Sequence, residues 1–518
     1  MELSLTSSPA LQLVLLLPLL PLLCLLYLRQ DPKKQPRAHG LKAYPLLGTL
    51  PHFIKNQHRF LDWSTDVMKR DPTHTMSFKA LGLVGGAITA NPANVEHILK
   101  TNFGNYPKGE LTVSMIEDFL GHGIFNSDGD QWLWQRKAAS YEFSKRSLRN
   151  FVVDAVRFEV VERLLPLLDR AALGGRTLDV QDVLERFAFD NICRIAFDED
   201  PACLAEEGMA APQSAEFMRA FNDAQNAIMA RFMSPFKSLW RVKRVLDMEP
   251  ERRMREALGT IHGYASRIVR ERRERGEAGG LACRNDFLSR FAASGEHSDE
   301  SLRDVVTNFL LAGRDTTSSA LTWFFWLVSG RPDVEDKIVS EIRVVRASRH
   351  GSAAAAASTF SFDELRDMHY LHAAITESMR LYPPVAMDTH SCKEDDFLPD
   401  GTFVGKGWLM TYSAYVMARV EDIWGKDCEE FRPERWLGDD GAFRPESPFK
   451  YPVFHAGPRM CLGKEMAYIQ MKSIVACVFE RFGFRYAGGE GRPGLVLSLT
   501  LRMESGLPMQ VRKRSNAI

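Results

Sequence analysis

Residues Phe454–Gly463 read FHAGPRMCLG. One cysteine, Cys461, stands in a loop rich in glycine and proline, with no second cysteine or histidine at metal-finger spacing. Such a sulfur can be inert core, half of a disulfide, a nucleophile or a metal ligand. The pattern F-x-x-G-x-R-x-C-x-G, filled by Phe454, Gly457, Arg459, Cys461 and Gly463, favours the ligand. A metal-bound thiolate needs backbone amides aimed at the sulfur. Gly457 and Gly463 are expected to let the backbone turn tightly around a large planar group. Phe454 is expected to pack on that group, and Arg459 to pair with a carboxylate on it. The helix expected to follow presents its positive N-terminal end to the sulfur.

Three further constellations point the same way. In LLAGRDTTSSA (Leu310–Ala320), Gly313 and two threonines interrupt a helix interior. Glycine costs about 1 kcal/mol there relative to alanine, and a threonine hydroxyl bonded back to a carbonyl bends a helix. A local opening at this point suits a small molecule and water over a metal, with Asp315 passing protons through Thr316. In TESMRLYPPV, Glu377 and Arg380 are three apart and share a helix face. FRPERW (Phe431–Trp436) offers Arg435 as a second guanidinium, so these three are expected to form a buried structural network rather than a catalytic one. Trp132 and Arg136, four apart, share a face from which an indole N–H and a guanidinium could reach one carboxylate.

Long helices must carry these residues. One is expected over Ser301–Ser329, stopped by Gly330 with Pro332 beyond it. Others are expected over Ala93–Phe103 behind Asn91-Pro92, Asp128–Ser144, Ala215–Trp240 and Arg253–Gly276. Gly276–Ala282 and residues 351–359 read as loops. A hairpin is expected over Ala80–Ala90 about Gly85-Gly86, and LVLSLTLRM near the C-terminus reads as one alternating strand. The fold class is therefore mainly α with small β-sheets.

The chain has 518 residues, is 45% hydrophobic and 25% charged, and has zero net charge, so it buries a large core and shows no bulk charge for nucleic acid. Its eight cysteines are thinly spread, without C-x-x-C pairs, which reads as a reduced compartment rather than a disulfide framework. Leu11–Leu28 is free of charge and nearly all apolar, and is followed by Arg29, Lys33, Lys34 and Arg37. That is long enough for one membrane span, with the positive flank and everything after it cytosolic. The expected organisation is an anchor over residues 1–30, a Pro-rich linker over 31–52, and one large domain over 53–518.

Taken together and in this order, W-x-x-x-R, A-G-x-D-T, E-x-x-R, P-E-R and the cysteine loop resemble the cytochrome P-450 haem-thiolate monooxygenases. The resemblance covers essentially the whole chain. It implies a single P-450 haem domain behind the anchor, with Cys461 as the axial ligand of haem b iron. Trp132, Arg136, Arg459 and His390 are implied to hold haem propionates. It gives Thr316 and Asp315 to oxygen activation, places Ala312 and Gly313 in the oxygen and substrate groove, and makes Glu377, Arg380 and Arg435 the structural triad. Trp436, where the family usually carries Phe, is expected to alter packing only. Candidate walls of an apolar substrate channel are Phe119, Leu120, Ile124, Phe125, Phe309, Leu310, Val385, Ala386, Met387, Leu499 and Thr500.

Stretches such as RLYPPV and LPDGTFVGKGW are similar to plant chain-end hydroxylases of family ninety-four. This implies NADPH-dependent hydroxylation at or near the terminal carbon of a fatty acid or related oxylipin. A jasmonoyl–amino acid conjugate, a sterol side chain and hydroperoxide isomerisation are the alternatives. The implied partners are an NADPH–cytochrome P-450 reductase, membrane lipid of the endoplasmic reticulum and an apolar small molecule, with no nucleic acid.

Overall fold

The computed structural model describes residues 41–42, 44, 47–79, 84–140, 153–205, 212–275, 288–289, 291, 298–349 and 359–514. The expected anchor, most of the linker, the loop at 276–282 and residues 351–358 of the second loop lie outside them. No helix among the described residues is long and apolar enough to cross a membrane.

The helices that build the site are α1 (Leu50–Lys55), α2 (Phe60–Met68), α3 (Gly109–Leu120), α4 (Gly129–Ser140), α5 (Val180–Phe197), α6 (Pro212–Met233), α7 (Leu239–Val245), α8 (Glu251–Arg275), α9 (Asp299–Leu310), α10 (Thr316–Ser329), α11 (Pro332–Arg349), α12 (His369–Leu381) and α13 (Lys464–Phe479). Helix α1 begins inside the expected linker, so the folded body starts a few residues early. Local chemistry sets several ends. The Ser298 hydroxyl accepts from Ser301 N at 3.2 Å, with Asp299 and Glu300 in the first turn of α9. Asp179 caps α5 by accepting from Gln181 N and Asp182 N. Helices α9 and α10 are joined through a wide π-type turn, Leu311–Asp315, which is the interruption expected at Gly313.

Helix α10 runs through the main core. Trp323, Phe324 and Phe325 pack there with Ile474 and Val475 of α13 and with Phe479, all under 4% exposed. Helices α5 and α12 pack along α10, and α6 lies against α8. The helix expected over Ala215–Trp240 is two helices, because Ser234-Pro235 ends α6 and α7 starts only at Leu239.

The strands form small sheets. One has the order β1 (Thr75–Phe78), β2 (Gly86–Thr89), β7 (Leu409–Tyr412), β4 (Asp388–Ser391), with β2 and β7 parallel. A second core lies between this sheet and α2, built from Phe60, Trp63, Met76, Ile88 and Met410. The expected hairpin is shifted. Gly86 begins β2 instead of turning, and a Cβ there would sit 2.5 Å from the Phe78 ring. The other sheets are β5 (Asp396–Phe397) with β6 (Phe403–Val404), and β8 (Phe482–Tyr486) with β3 (Thr177–Asp179) and β11 (Pro508–Lys513). LVLSLTLRM is not one strand but a hairpin, β9 (Leu495–Leu497) and β10 (Leu501–Met503), turning at Ser498–Thr500.

Candidate active site

The Cys461 loop is held by its own backbone. Cys461 N donates to Phe454 O at 2.8 Å, and Met460 N donates to Gly457 O at 3.1 Å. Gly457 has φ +65°, and a Cβ there would lie 2.0 Å from Leu99 O. Glycine is therefore required here by the left-handed turn itself and by close contact with the neighbouring segment. Gly463 lines the cavity beside Cys461, and its N–H and that of Lys464 point at the sulfur. Burial raises the Cys461 thiol above its ordinary value. Those two amides and the cations of Arg136 and Lys464 pull it back. The residue has exposed surface, but that surface faces an internal cavity of about 520 Å³.

The α9–α10 turn lies across this cavity from the loop. Ala312, Gly313, Thr316 and Thr317 line it, and Thr316 Oγ1 donates to Ala312 O at 2.7 Å. A Cβ on Gly313 would sit 2.5 Å from the Ile192 side chain, so the glycine also lets α5 approach. Asp315 is not among the residues lining the cavity. It is buried behind the turn, where its Oδ2 accepts from Gln225 Nε2 at 3.1 Å and its Oδ1 lies 3.1 Å from Arg314 Nη1. Burial pushes its carboxyl up to about 6 against the pull of Arg314.

Cations gather on the wall nearest Cys461. Arg459 Nη2 donates to Asp128 Oδ1 at 2.6 Å and Ser127 O at 3.0 Å, while its buried Nε has no hydrogen-bond partner. Arg136 Nη2 donates to Met460 O at 2.6 Å. The Trp132 ring faces both guanidinium groups, at 4.5 Å from Arg459 and 5.8 Å from Arg136. His390 does not line the cavity. It sits on β4 with Nδ1 2.9 Å from Tyr106 O, and burial lowers it to about 4. Asp388 and His455 stand on the wall instead, 3.1 Å apart, and Lys108 Nζ lies 2.6 Å from Asp388. Asp388, His390 and His455 converge as metal ligands would. The Lys108 ammonium already fills the place of a cation beside Asp388, so this cluster is an ion network.

Of the expected channel walls, Leu120, Ile124, Phe125, Phe309, Val385, Ala386, Met387, Leu499 and Thr500 line the cavity. Phe119 and Leu310 do not: they are core, 1% and 0% exposed, and Phe119 packs edge-on to Phe221. The expected structural triad is present. Arg380 Nε and Nη2 each donate to Glu377 at 2.8 Å, and Arg435 Nε donates at 3.3 Å. Trp436 does more than alter packing, because its indole N–H donates to Glu377 Oε2 at 2.8 Å, a bond phenylalanine cannot make.

A family model described as Cytochrome P-450 matches residues 39–502. The chain belongs to the cytochrome P-450 family. It is 47% identical over 489 residues to cytochrome P-450 CYP94D108 of Paris polyphylla, covering 94% of each chain. It is 44% identical over 479 residues to cytochrome P-450 94B1 of Arabidopsis thaliana, covering 91% of each. To cytochrome P-450 94A1 of Vicia sativa it is 42% identical over 483 residues, covering 92% of this chain and 91% of the relative. These relatives are members of family ninety-four, and the chain is a haem-thiolate monooxygenase that takes electrons from a redox partner.

The residues present fit the P-450 haem. A sulfur with two amides aimed at it faces the cavity. Three cations, Lys108, Arg136 and Arg459, line the wall with one carboxylate, Asp388, and the orphaned Arg459 Nε is a donor waiting for an acceptor. Lys108 and Arg459 are already paired with Asp388 and Asp128, so the donors left for a propionate are the Arg136 guanidinium and Arg459 Nε. Sequence reasoning missed Lys108, Asp388 and His455. His455 falls on an unspecified position of the cysteine-loop pattern, Asp388 is two residues from His390 and Lys108 stands alone, and only the register of β4 and the Cys461 loop brings them together.

Proposed function

We propose that this protein is an NADPH-dependent monooxygenase hydroxylating the terminal or near-terminal carbon of a fatty acid or related oxylipin. The observation that carries this reading is the cavity itself, apolar over most of its wall from Leu462 and Thr316 outward past Phe309, Leu120 and Phe232 to Met233. Such a cavity takes an alkyl chain and admits few polar groups.

Bound haem, of the b type, would supply oxygen activation and insertion of one oxygen atom into a C–H bond. The chain's residues do the rest. Cys461 holds the iron, Trp132, Arg136 and Arg459 hold the propionates, and the Gly463 and Lys464 amides stabilise charge on the sulfur. Thr316 stands over the site with a hydroxyl able to hand on a proton. Asp315, behind it, is near neutral pKa and suited to exchanging protons with water. A terminal C–H is stronger than its neighbours, so the walls at Val385–Met387 and Leu499–Thr500 must fix the chain end. Electrons come from an NADPH–cytochrome P-450 reductase. Residues 11–28 anchor the chain in the endoplasmic reticulum membrane, and exposed Phe236, Leu239, Val242 and Val245 beside Arg241, Lys243 and Arg244 suit the same lipid surface.

The test is turnover by microsomes holding the protein and a reductase, offered fatty acids, a jasmonoyl–amino acid, a sterol and a fatty-acid hydroperoxide, with products identified by mass spectrometry. NADPH-dependent chain-end alcohols are expected. NADPH-independent turnover of the hydroperoxide, with no alcohol from any acid, would overturn the reading. Cys461→Ala is expected to abolish the thiolate-type ferrous–CO spectrum.

A further inference from the structure

The charged side chains on the cavity wall are one cluster and two that stand apart, Lys79, whose ammonium lies over the Trp408 ring, and Lys237. Lys108, Arg136, Asp388, His455 and Arg459 cluster near Cys461, where Lys108, His455 and Arg459 each reach a carboxylate. Lys237 belongs elsewhere. It follows Pro235 at the break after α6, on a rim shared with Leu50 and Phe53 of α1, and Gln57 Nε2 ties this rim to Met233 O at 3.2 Å.

The Lys237 ammonium donates to Phe232 O, a carbonyl of the last turn of α6. That end of a helix carries partial negative charge and favours a cation. The bond uses one of three N–H donors. No carboxylate opposes Lys237 among the described residues, and burial alone acts on it, lowering it to about 8. A cation half-buried against an apolar wall is costly unless an anion meets it.

We propose that Lys237 binds the carboxylate of the substrate at the rim of the cavity, with the alkyl chain laid inward and its far end at Cys461. This rests on the chain-end hydroxylase reading and narrows it to substrates with a free carboxylate at one end. It also assigns a reason for terminal selectivity. A chain fixed at both its charged head and its apolar wall presents one carbon, where an unanchored chain would slide.

The test uses the full-length holoprotein in lipid nanodiscs, titrated with dodecanoic, tetradecanoic and hexadecanoic acids and with their methyl esters, read by the ferric Soret shift. For the best-fitting chain the wild type is expected to bind the acid about ten-fold tighter than the ester, as one charge-assisted contact allows. Lys237→Met should lose that preference by weakening the acid while leaving the ester unchanged, and Lys237→Arg should keep it. Products from Lys237→Met should spread inward from the terminal carbon. Ester affinity doubles as the check that the variant is folded.

An acid-to-ester ratio equal in wild type and Lys237→Met would overturn the anchor, as would equal weakening of both ligands. The two readings fail separately. Chain-end products from acid and ester alike, with acid affinity indifferent to Lys237, remove the anchor and keep the hydroxylase. A Lys237-dependent acid preference without chain-end products keeps the anchor and removes the hydroxylase.

Discussion

Glu377 and Asp315 are both buried among arginines, 0% and 4% exposed, yet their surroundings differ. Around Glu377 every donor on the carboxylate and on Arg380 is matched, although Ser378 Oγ and Trp424 Nε1 nearby have no partner. Arg380 uses all five N–H groups, on Glu377 Oε1 and Oε2 and on the carbonyls of Ala418, Cys428 and Glu430. Glu377 Oε1 also accepts from Arg432 N and Arg435 Nε, and Oε2 from Trp436 Nε1. Around Asp315 the matching is loose. Arg314 Nη2 donates to Glu185 and Asn222 and its Nη1 is ion-paired with Asp315 Oδ1 at 3.1 Å without hydrogen-bond alignment, while Arg314 Nε, Gln225 Oε1 and Arg502 Nε have no hydrogen-bond partner. A fully satisfied buried network rigidifies and specifies a fold. Buried polar atoms left over beside a carboxylate of raised pKa are where ordered water binds and protons move. On the function proposed above, the contrast separates a network that holds the molecule from one that serves its chemistry.

The largest test of that contrast is Arg380→Met. It strands Glu377 without its bidentate partner and three carbonyls without a donor. Breaking a buried pair costs about 3–5 kcal/mol, and the variant is expected to yield little folded, haem-loaded protein. Recovery of wild-type thermal stability would show that the matching is incidental. On the other side, Thr316→Ala is expected to fold and take up haem normally. Its product per NADPH should drop by roughly ten- to a hundred-fold, the missing oxygen appearing as hydrogen peroxide in a coupling assay. Fully coupled turnover would remove Thr316 from proton delivery.

These two networks were not equally legible in the sequence. The Glu377 triad could be read because i, i+3 spacing and the P-E-R turn are local patterns. A fourth partner of Glu377, the Trp436 indole, was missed because a tryptophan reads as bulk until its N–H is placed. Cys461 and Thr316 were legible for the same local reason. Asp315 was placed on the correct turn, but its burial behind that turn was not legible, since which face of a π-type turn meets a cavity depends on α5 and α6. Lys108, Asp388, His455 and Lys237 were invisible, each meeting the site through strand register or a helix break far from the others. The β9–β10 hairpin was read as one strand because alternation continues through its turn.

Trp436→Phe sharpens the comparison at smaller scale. It keeps an aromatic ring in place and removes one donor from Glu377 Oε2, which retains Arg380 Nε. A loss of about 1–2 kcal/mol in unfolding free energy is expected, with turnover per haem unchanged. No change in stability would return Trp436 to a packing role.

A pH-dependent effect concerns Asp315→Asn and can be read from stability alone. Burial raises the Asp315 carboxyl from 3.8 to about 6, with Glu185 adding to the rise and Arg314, Arg502 and Gln225 opposing it. Between those two pH values the native chain holds a proton that the unfolded chain has released. The stabilisation from that proton is therefore complete below about 4 and is lost as the pH climbs through about 6. Asparagine at 315 cannot ionise, so the variant escapes the loss. Its Tm relative to wild type should rise by a few degrees between pH 4 and pH 7, the remaining titrations of the protein cancelling in the difference. Parallel curves would mean that the orphaned donors around Arg314 already solvate the ionised carboxylate, and the loose network would then be as well matched in water as the Glu377 network is in protein.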